Sequence, residues 1–76
     1  MNLERRTRID ALRVRLSAIH DELEELQLQE QDAFENTPES LATAQRALRS
    51  QEAAYQLLEA VDSIGEALAQ MEAATE

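Results

Sequence analysis

His20 is the only histidine of the chain, and there is no cysteine, so metal chemistry would depend on His20 and nearby acids. Glu24 lies four positions later, and two side chains at that spacing on a helix can bind one metal ion. Di-metal sites in helical bundles use the pattern Glu-x-x-His, which does not occur here. We therefore predict a solvated or hydrogen-bonded His20, with no metal site and no cofactor.

The acidic residues that follow His20 could be interpreted as paired catalytic carboxylates. They are Asp21, Glu22, Glu24, Glu25, Glu30, Asp32 and Glu35. On a helix they lie mostly outside the apolar stripe, where nothing would separate their pKa values. The sequence has no lysine, no glycine-rich phosphate loop and no Ser-His-Asp pattern. We predict a solvated acidic face, no catalytic residues and a protein that is not an enzyme.

A cluster of three arginines, Arg5, Arg6 and Arg8, lies near the start of the chain. The planar guanidinium fork binds phosphate well, so the cluster is a candidate site for an anion or a nucleotide. The alternative, which we favour, is that these arginines pair with acids of the second half, such as Glu66 and Glu72. The net charge of −9 argues against direct binding of nucleic acid.

The composition is typical of long helices. Thirteen alanines and eleven leucines supply most of the apolar residues, whereas glycine and proline occur once each. No apolar run is long enough to cross a membrane, and residues 1–15 lack the apolar core of a secretory signal. These features predict a soluble, cytoplasmic, all-α protein that does not contact a membrane.

One break divides the chain into two helices. Asn36 tolerates the conformation that ends a helix, Thr37 can cap the next helix, and Pro38 suits a first helical position. The break predicts a single helical-hairpin domain over residues 1–76. Its first helix covers about residues 3–35, the turn covers 36–38, and the second helix covers about residues 39–74. Helices joined by so short a turn are antiparallel neighbours.

Apolar residues at alternating steps of three and four predict the packing face of each helix. The first helix carries a heptad at Ile9, Leu12, Leu16, Ile19, Leu23 and Leu26. The second helix carries two offset strips: Leu41, Ala44, Leu48, Tyr55 and Leu58, then Ala47, Ala54, Leu57, Val61, Ile64, Leu68 and Met71. Phe34 is expected to close the turn end of the core beside Pro38 and Leu41. A face this broad favours contact with two neighbouring helices.

Charge predicts how the two helices are aligned. Residues 1–15 have net charge +3, residues 16–45 have −8 and residues 46–76 have −4. In a hairpin centred near Thr37, residues whose numbers sum to about 74–75 would be level. This register would place Arg15 near Glu59, Arg13 near Asp62 and Arg8 near Glu66.

One hairpin buries too little apolar surface to offset the entropy of ordering two long helices. A second copy is the simplest partner, and we predict a four-helix bundle formed by a homodimer or higher oligomer. Gly65, inside the second helix, is expected to be a close helix crossing or a tolerated imperfection.

The segment from Leu23 to Leu41, LEELQLQEQDAFENTPESL, resembles small uncharacterised two-helix proteins of bacteria, phages and mobile elements. Those proteins share a turn segment of the form E-E-Q-x-A-F/Y-D/E-N-x-P-E-S-L. The resemblance implies a phage or mobile-element origin more than an activity.

The first interpretation is a non-enzymatic, self-associating helical module that binds another protein. The alternative is a small anti-defence protein that mimics DNA through its acids or sequesters a nucleotide signal, with Tyr55 stacking on the base.

Overall fold

The computed structural model describes residues 1–35 and 41–76, apart from the side chains of Phe34 and of residues 41–43. Helix α1 spans Leu3–Glu35 and helix α2 spans Leu41–Thr75. The predicted turn at residues 36–38 lies outside the described residues. The same is true of the predicted packing of Phe34 against Leu41.

The prediction of two packed helices is confirmed. Along α1, His20 lies beside Gly65, and the groove lined by Gln27 and Gln31 reaches back to Ala54 of α2. Residue numbers therefore rise on one helix as they fall on the other, so the helices are antiparallel. The hairpin measures 59 × 14 × 12 Å. Its radius of gyration, 17.4 Å, exceeds the roughly 11 Å of a compact domain this size, as expected for a thin rod.

The contact stripe of α1 contains three apolar and four polar residues. Its buried or half-buried side chains are Ile9, Arg13, Leu16, His20, Leu23, Gln27 and Glu30, and the half-buried Arg6 lies one turn before them. Their steps alternate between three and four residues, which keeps one face of a helix against a partner. The structure divides the predicted heptad, because Leu12, Ile19 and Leu26 lie beside this stripe and remain about half exposed.

The contact stripe of α2 is mostly apolar and contains smaller residues. It consists of Ala47, Ser50, Ala54, Leu57, Val61, Ile64, Leu68, Met71 and Thr75. These are the residues of one predicted strip with Ser50 and Thr75 added, whereas Leu48, Tyr55 and Leu58 of the other strip are exposed. Gly65 beside this stripe leaves room for the imidazole of His20, whose Nε2 lies 3.9 Å from where a glycine Cβ would be. Small residues on α2 therefore accommodate long polar side chains on α1.

The predicted register is wrong by about three helical turns. Arg13 lies 3.9 Å from Glu72, not beside Asp62, and His20 lies beside Gly65. Level residues therefore have numbers that sum to about 85, and Thr75 is level with Asp10. Charge pairs were a weak guide because an exposed pair contributes only about 0–1 kcal/mol. Packing of His20 against Gly65 fits only the observed alignment.

Helix α1 begins with a side-chain cap that the sequence reasoning missed. The Oδ1 atom of Asn2 accepts a hydrogen bond of 2.8 Å from the backbone N–H of Arg5. The carbonyl of Asn2 accepts the N–H of Arg6 at 3.1 Å. This is the geometry of an N-cap residue, and an asparagine directly before the first helical position was the available signal.

Within the described residues, neither helix has a stretch that is both long enough and apolar enough to cross a membrane.

Candidate interaction surface

The hairpin encloses very little apolar surface. Among the described residues, only Ala54 and Val61 are buried apolar residues, each 7% exposed, and no side chain is fully buried. Many large apolar side chains are exposed instead: Met1, Leu3, Leu12, Val14, Ile19, Leu26, Leu28, Leu48, Tyr55 and Leu58. These large apolar side chains therefore lie at the surface of the hairpin and not in an enclosed core.

On one side of the contact, which we call the apolar flank, small and aliphatic residues repeat every seven positions. Helix α1 contributes Leu12, Ile19 and Leu26, and helix α2 contributes Ala53, Ala60, Ala67 and Ala74. Leu12, Leu16 and Ile19 line a shallow groove together with Met71 across the contact, and Arg15 lines it as well. Ala60 and Ala67 are half-buried beside it. Two helices thus present one apolar strip.

The opposite side, which we call the polar flank, has polar residues at six of its eight matching positions, the exceptions being Leu58 and Gly65. Helix α1 contributes Asp10, Ser17, Glu24 and Gln31, and helix α2 contributes Gln51, Leu58, Gly65 and Glu72. Arg13 pairs across the contact with Glu72 at 3.9 Å and with Asp10 at 3.1 Å. The Nε2 atom of Gln27 donates to Gln31, and that of Gln31 donates to Glu35. Arg13, Gln27 and Gln31 therefore find their partners within the chain on this flank.

The acids around His20 form a loose cluster on one exposed turn of α1. Nδ1 of His20 lies 3.3 Å from Asp21 and 3.9 Å from Glu24. One potential ligand atom from each residue lies within 4.8 Å of the others, so three donors for a cation converge. All three belong to one helix, and both carboxylates are exposed to water. This arrangement explains a hydrogen-bonded histidine without any metal ion.

The arginine cluster lies where α1 extends past the end of α2. Arg5 and Arg8 are exposed and Arg6 is half-buried, with an Nε atom that has no hydrogen-bond partner among the described residues. Of the two partners predicted for this cluster, Glu66 and Glu72, Glu72 pairs with Arg13 instead. Asn2 accepts the backbone N–H groups of Arg5 and Arg6. These two N–H groups at the start of α1 therefore already have an acceptor within the chain.

Tyr55 lies near the polar flank with its ring exposed. A hydrogen bond to Glu59 and the charge of that carboxylate hold the pKa of the Tyr55 phenol above its usual value. Tyr55 is the only tyrosine and the chain has no tryptophan. Changes in tyrosine absorbance therefore report on the surroundings of this one side chain.

Sequence reasoning also missed Gln27, the one buried polar residue among those described, with 6% exposure. It occupies the position that the predicted heptad gave to Leu26. The signal was the seven-residue series Arg13, His20 and Gln27, in which long polar side chains repeat at the spacing of the apolar ones.

No protein-family model, no curated protein and no solved structure matches the chain.

Proposed function

We propose that the protein is a non-enzymatic, self-associating helical module that forms a four-helix bundle from two copies and binds other proteins through the bundle surface. The observation that carries the proposal is the small core of the hairpin. Among the described residues only two apolar side chains are buried, which is too small a core to offset the ordering of two helices of 33 and 35 residues. A second copy would bury the aliphatic residues that remain exposed.

The surface of one chain is large enough for such an assembly. A standard interface buries about 800 Å² on each partner. That area is roughly an eighth of the 6008 Å² exposed by one chain. Homodimers have the most apolar interfaces, and exposed leucine, isoleucine and alanine residues meet that requirement on the apolar flank.

Mass and stability at several concentrations test the proposal. Sedimentation equilibrium at micromolar concentration should give twice the 8.6 kDa of one chain. The midpoint of thermal unfolding should rise with concentration, because a folded dimer is favoured by mass action. A cooperatively folded species of 8.6 kDa whose melting temperature is independent of concentration would contradict the proposal.

A further inference from the structure

Resting on this proposed self-association, we infer that two copies pack through their apolar flanks, with α1 antiparallel to α1 of the second copy. The two-fold axis is perpendicular to the helices and passes near Ala18. Each copy then supplies half of a self-complementary surface, in which Arg15 meets the partner's Glu22 twice by symmetry.

The choice of flank follows from whether the side chains of each flank already have partners within one chain. Arg13, Gln27 and Gln31 use their polar groups inside the chain on the polar flank. Covering that flank would remove Asp10 and Glu24 from water at a cost that apolar contact would not offset. The apolar flank has no charged residue at positions 12, 19 and 26 or at 60, 67 and 74. A second copy buries this flank without desolvating a charge at its centre.

The direction of packing follows from the charges that border Leu12, Ile19 and Leu26. Arg15 and Glu22 lie on the outer edge of this stripe, both are exposed, and no ion pair among the described residues contains either. Antiparallel α1 helices place Arg15 opposite the partner's Glu22 and bring Leu12 close to the partner's Leu23 and Leu26. Residues 1–15 have net charge +3, whereas residues 21–35 contain seven acids and no base. Each basic half therefore faces an acidic half, which favours this orientation over a parallel one.

Helix α2 fits the same axis. Residues with numbers that sum to about 85 are level in the hairpin, so Ala18 is level with Ala67. A two-fold axis at this height places Ala67 against its own copy and Ala60 against the partner's Ala74. The residues that border this stripe, Gln56, Ser63 and Gln70, carry no charge. Alanine at each central position lets the two α2 helices approach closely without like-charge repulsion.

The competing bundle has its two-fold axis along the helices and packs α1 against α2 of the second copy. In that arrangement, the acidic half of α1 faces the partner's Glu52, Glu59 and Asp62. Like charges across an interface oppose association. Neither Arg15 nor Glu22 would gain a partner of opposite charge, because the facing residues are near the partner's Gln70 and Ser63.

Charge reversal at one pair tests the arrangement without touching the core. Arg15→Glu or Glu22→Arg alone should raise the dimer dissociation constant about tenfold, because two attractive pairs become two repulsive ones. The double variant should recover the parental constant. An equimolar mixture of the two single variants should also recover it by forming heterodimers. Glu25→Arg makes the same charge change on the outward face and should leave the constant unchanged.

Spin labels test the direction of packing independently, and a single introduced cysteine is unique in this chain. Labels on Ala18→Cys should lie within about 20 Å of each other, since packed helix axes are about 8–10 Å apart. Labels on Glu4→Cys should be more than about 40 Å apart, from a rise of 1.5 Å per residue on each side of the axis. Both positions are exposed on the outer face of α1.

The outcomes separate this inference from the proposal beneath it. A chain that stays at 8.6 kDa would refute self-association itself. A dimer with equal label distances at residues 4 and 18 would refute only the antiparallel packing. A dimer whose dissociation constant ignores the Arg15 and Glu22 reversals would refute only the pairing of these two residues across the apolar flank.

Discussion

The two flanks of the helical contact belong to the same two helices, yet they differ in chemistry at almost every matched position. Positions 12, 19 and 26 of the apolar flank are aliphatic, whereas positions 10, 17, 24 and 31 of the polar flank are polar. Asp10, Glu24 and Gln31 of the second set have partners within the chain, while the side chains of the first set remain about half exposed. The comparison shows that the polar side chains with partners within the chain lie on one flank, whereas the exposed aliphatic side chains lie on the other.

The largest effect is expected where both flanks depend on the contact stripe between them. Leu57→Asp or Ile64→Asp should abolish folding and assembly, because a half-buried position would receive an unpaired charge at a cost of at least about 3 kcal/mol. Circular dichroism at 222 nm and sedimentation would show the loss. The control is Val14→Asp, at a position 72% exposed, which should keep both the helix signal and the mass.

A matched pair of leucines separates the flanks directly. Leu26, on the apolar flank, and Leu28, outside it, are 51% and 53% exposed in the single chain. Leu26→Ala should destabilise the dimer by about 2 kcal/mol or more per chain, because the proposed association would bury that side chain. Leu28→Ala should change stability by less than about 0.5 kcal/mol. Equal losses in chemical denaturation would remove the distinction between the flanks.

The cap of α1 tests a contribution that belongs to neither flank. Asn2→Ala removes the acceptor of the Arg5 N–H and should lower the free energy of unfolding by about 1 kcal/mol. The dimer dissociation constant measured under native conditions should change little. Asn2→Ser keeps an acceptor and should retain most of the stability. If all three proteins unfold at one denaturant concentration, the cap makes no net contribution.

Gly65→Ala adds one methyl group on the polar flank and tests how closely α1 packs there. A Cβ at this position would lie 3.9 Å from Nε2 of His20, which is an ordinary van der Waals contact. Gly65→Ala should therefore raise the free energy of unfolding by about 0.5–1 kcal/mol through helix propensity alone. Thermal unfolding measures the gain. A loss would show that α1 or another chain approaches Gly65 more closely than the 3.9 Å contact with His20.

The smallest effect concerns the exposed phenol. Glu59→Gln should lower the pKa of Tyr55, because both the hydrogen bond and the negative charge that raise it are lost or weakened. A raised pKa favours the neutral phenol in the folded state. Its contribution to stability is present below the unfolded pKa and is lost as pH rises through the folded value. Absorbance at 295 nm follows the titration, and the same curve in dimeric and dissociated protein would place Tyr55 outside the interface.

The sequence was sufficient to predict the two helices and the contact stripe of α2 that contains Leu57, Val61 and Ile64. Its periodicity could not reveal which aliphatic residues of α1 serve the hairpin, since Leu16 and Ile19 belong to one continuous heptad. The division depends on α2, whose small residues accept His20 and Gln27 in the contact. The alignment of α1 with α2 depends on the same fit between side chains. The signs of exposed charges do not determine that alignment.

The stagger of the helices has a consequence for local opening. Since Thr75 is level with Asp10, residues 3–8 of α1 have no helical turn of α2 beside them. Their amides are held by bonds within α1 and by the Asn2 cap, and a single helical turn can fray without separating the two helices. Amide hydrogens there should exchange with solvent deuterium fastest within α1, with protection rising toward Leu16. The three arginines therefore sit on a segment whose order is local, and a partner that bound them would be recognised as a slowing of exchange in those first turns.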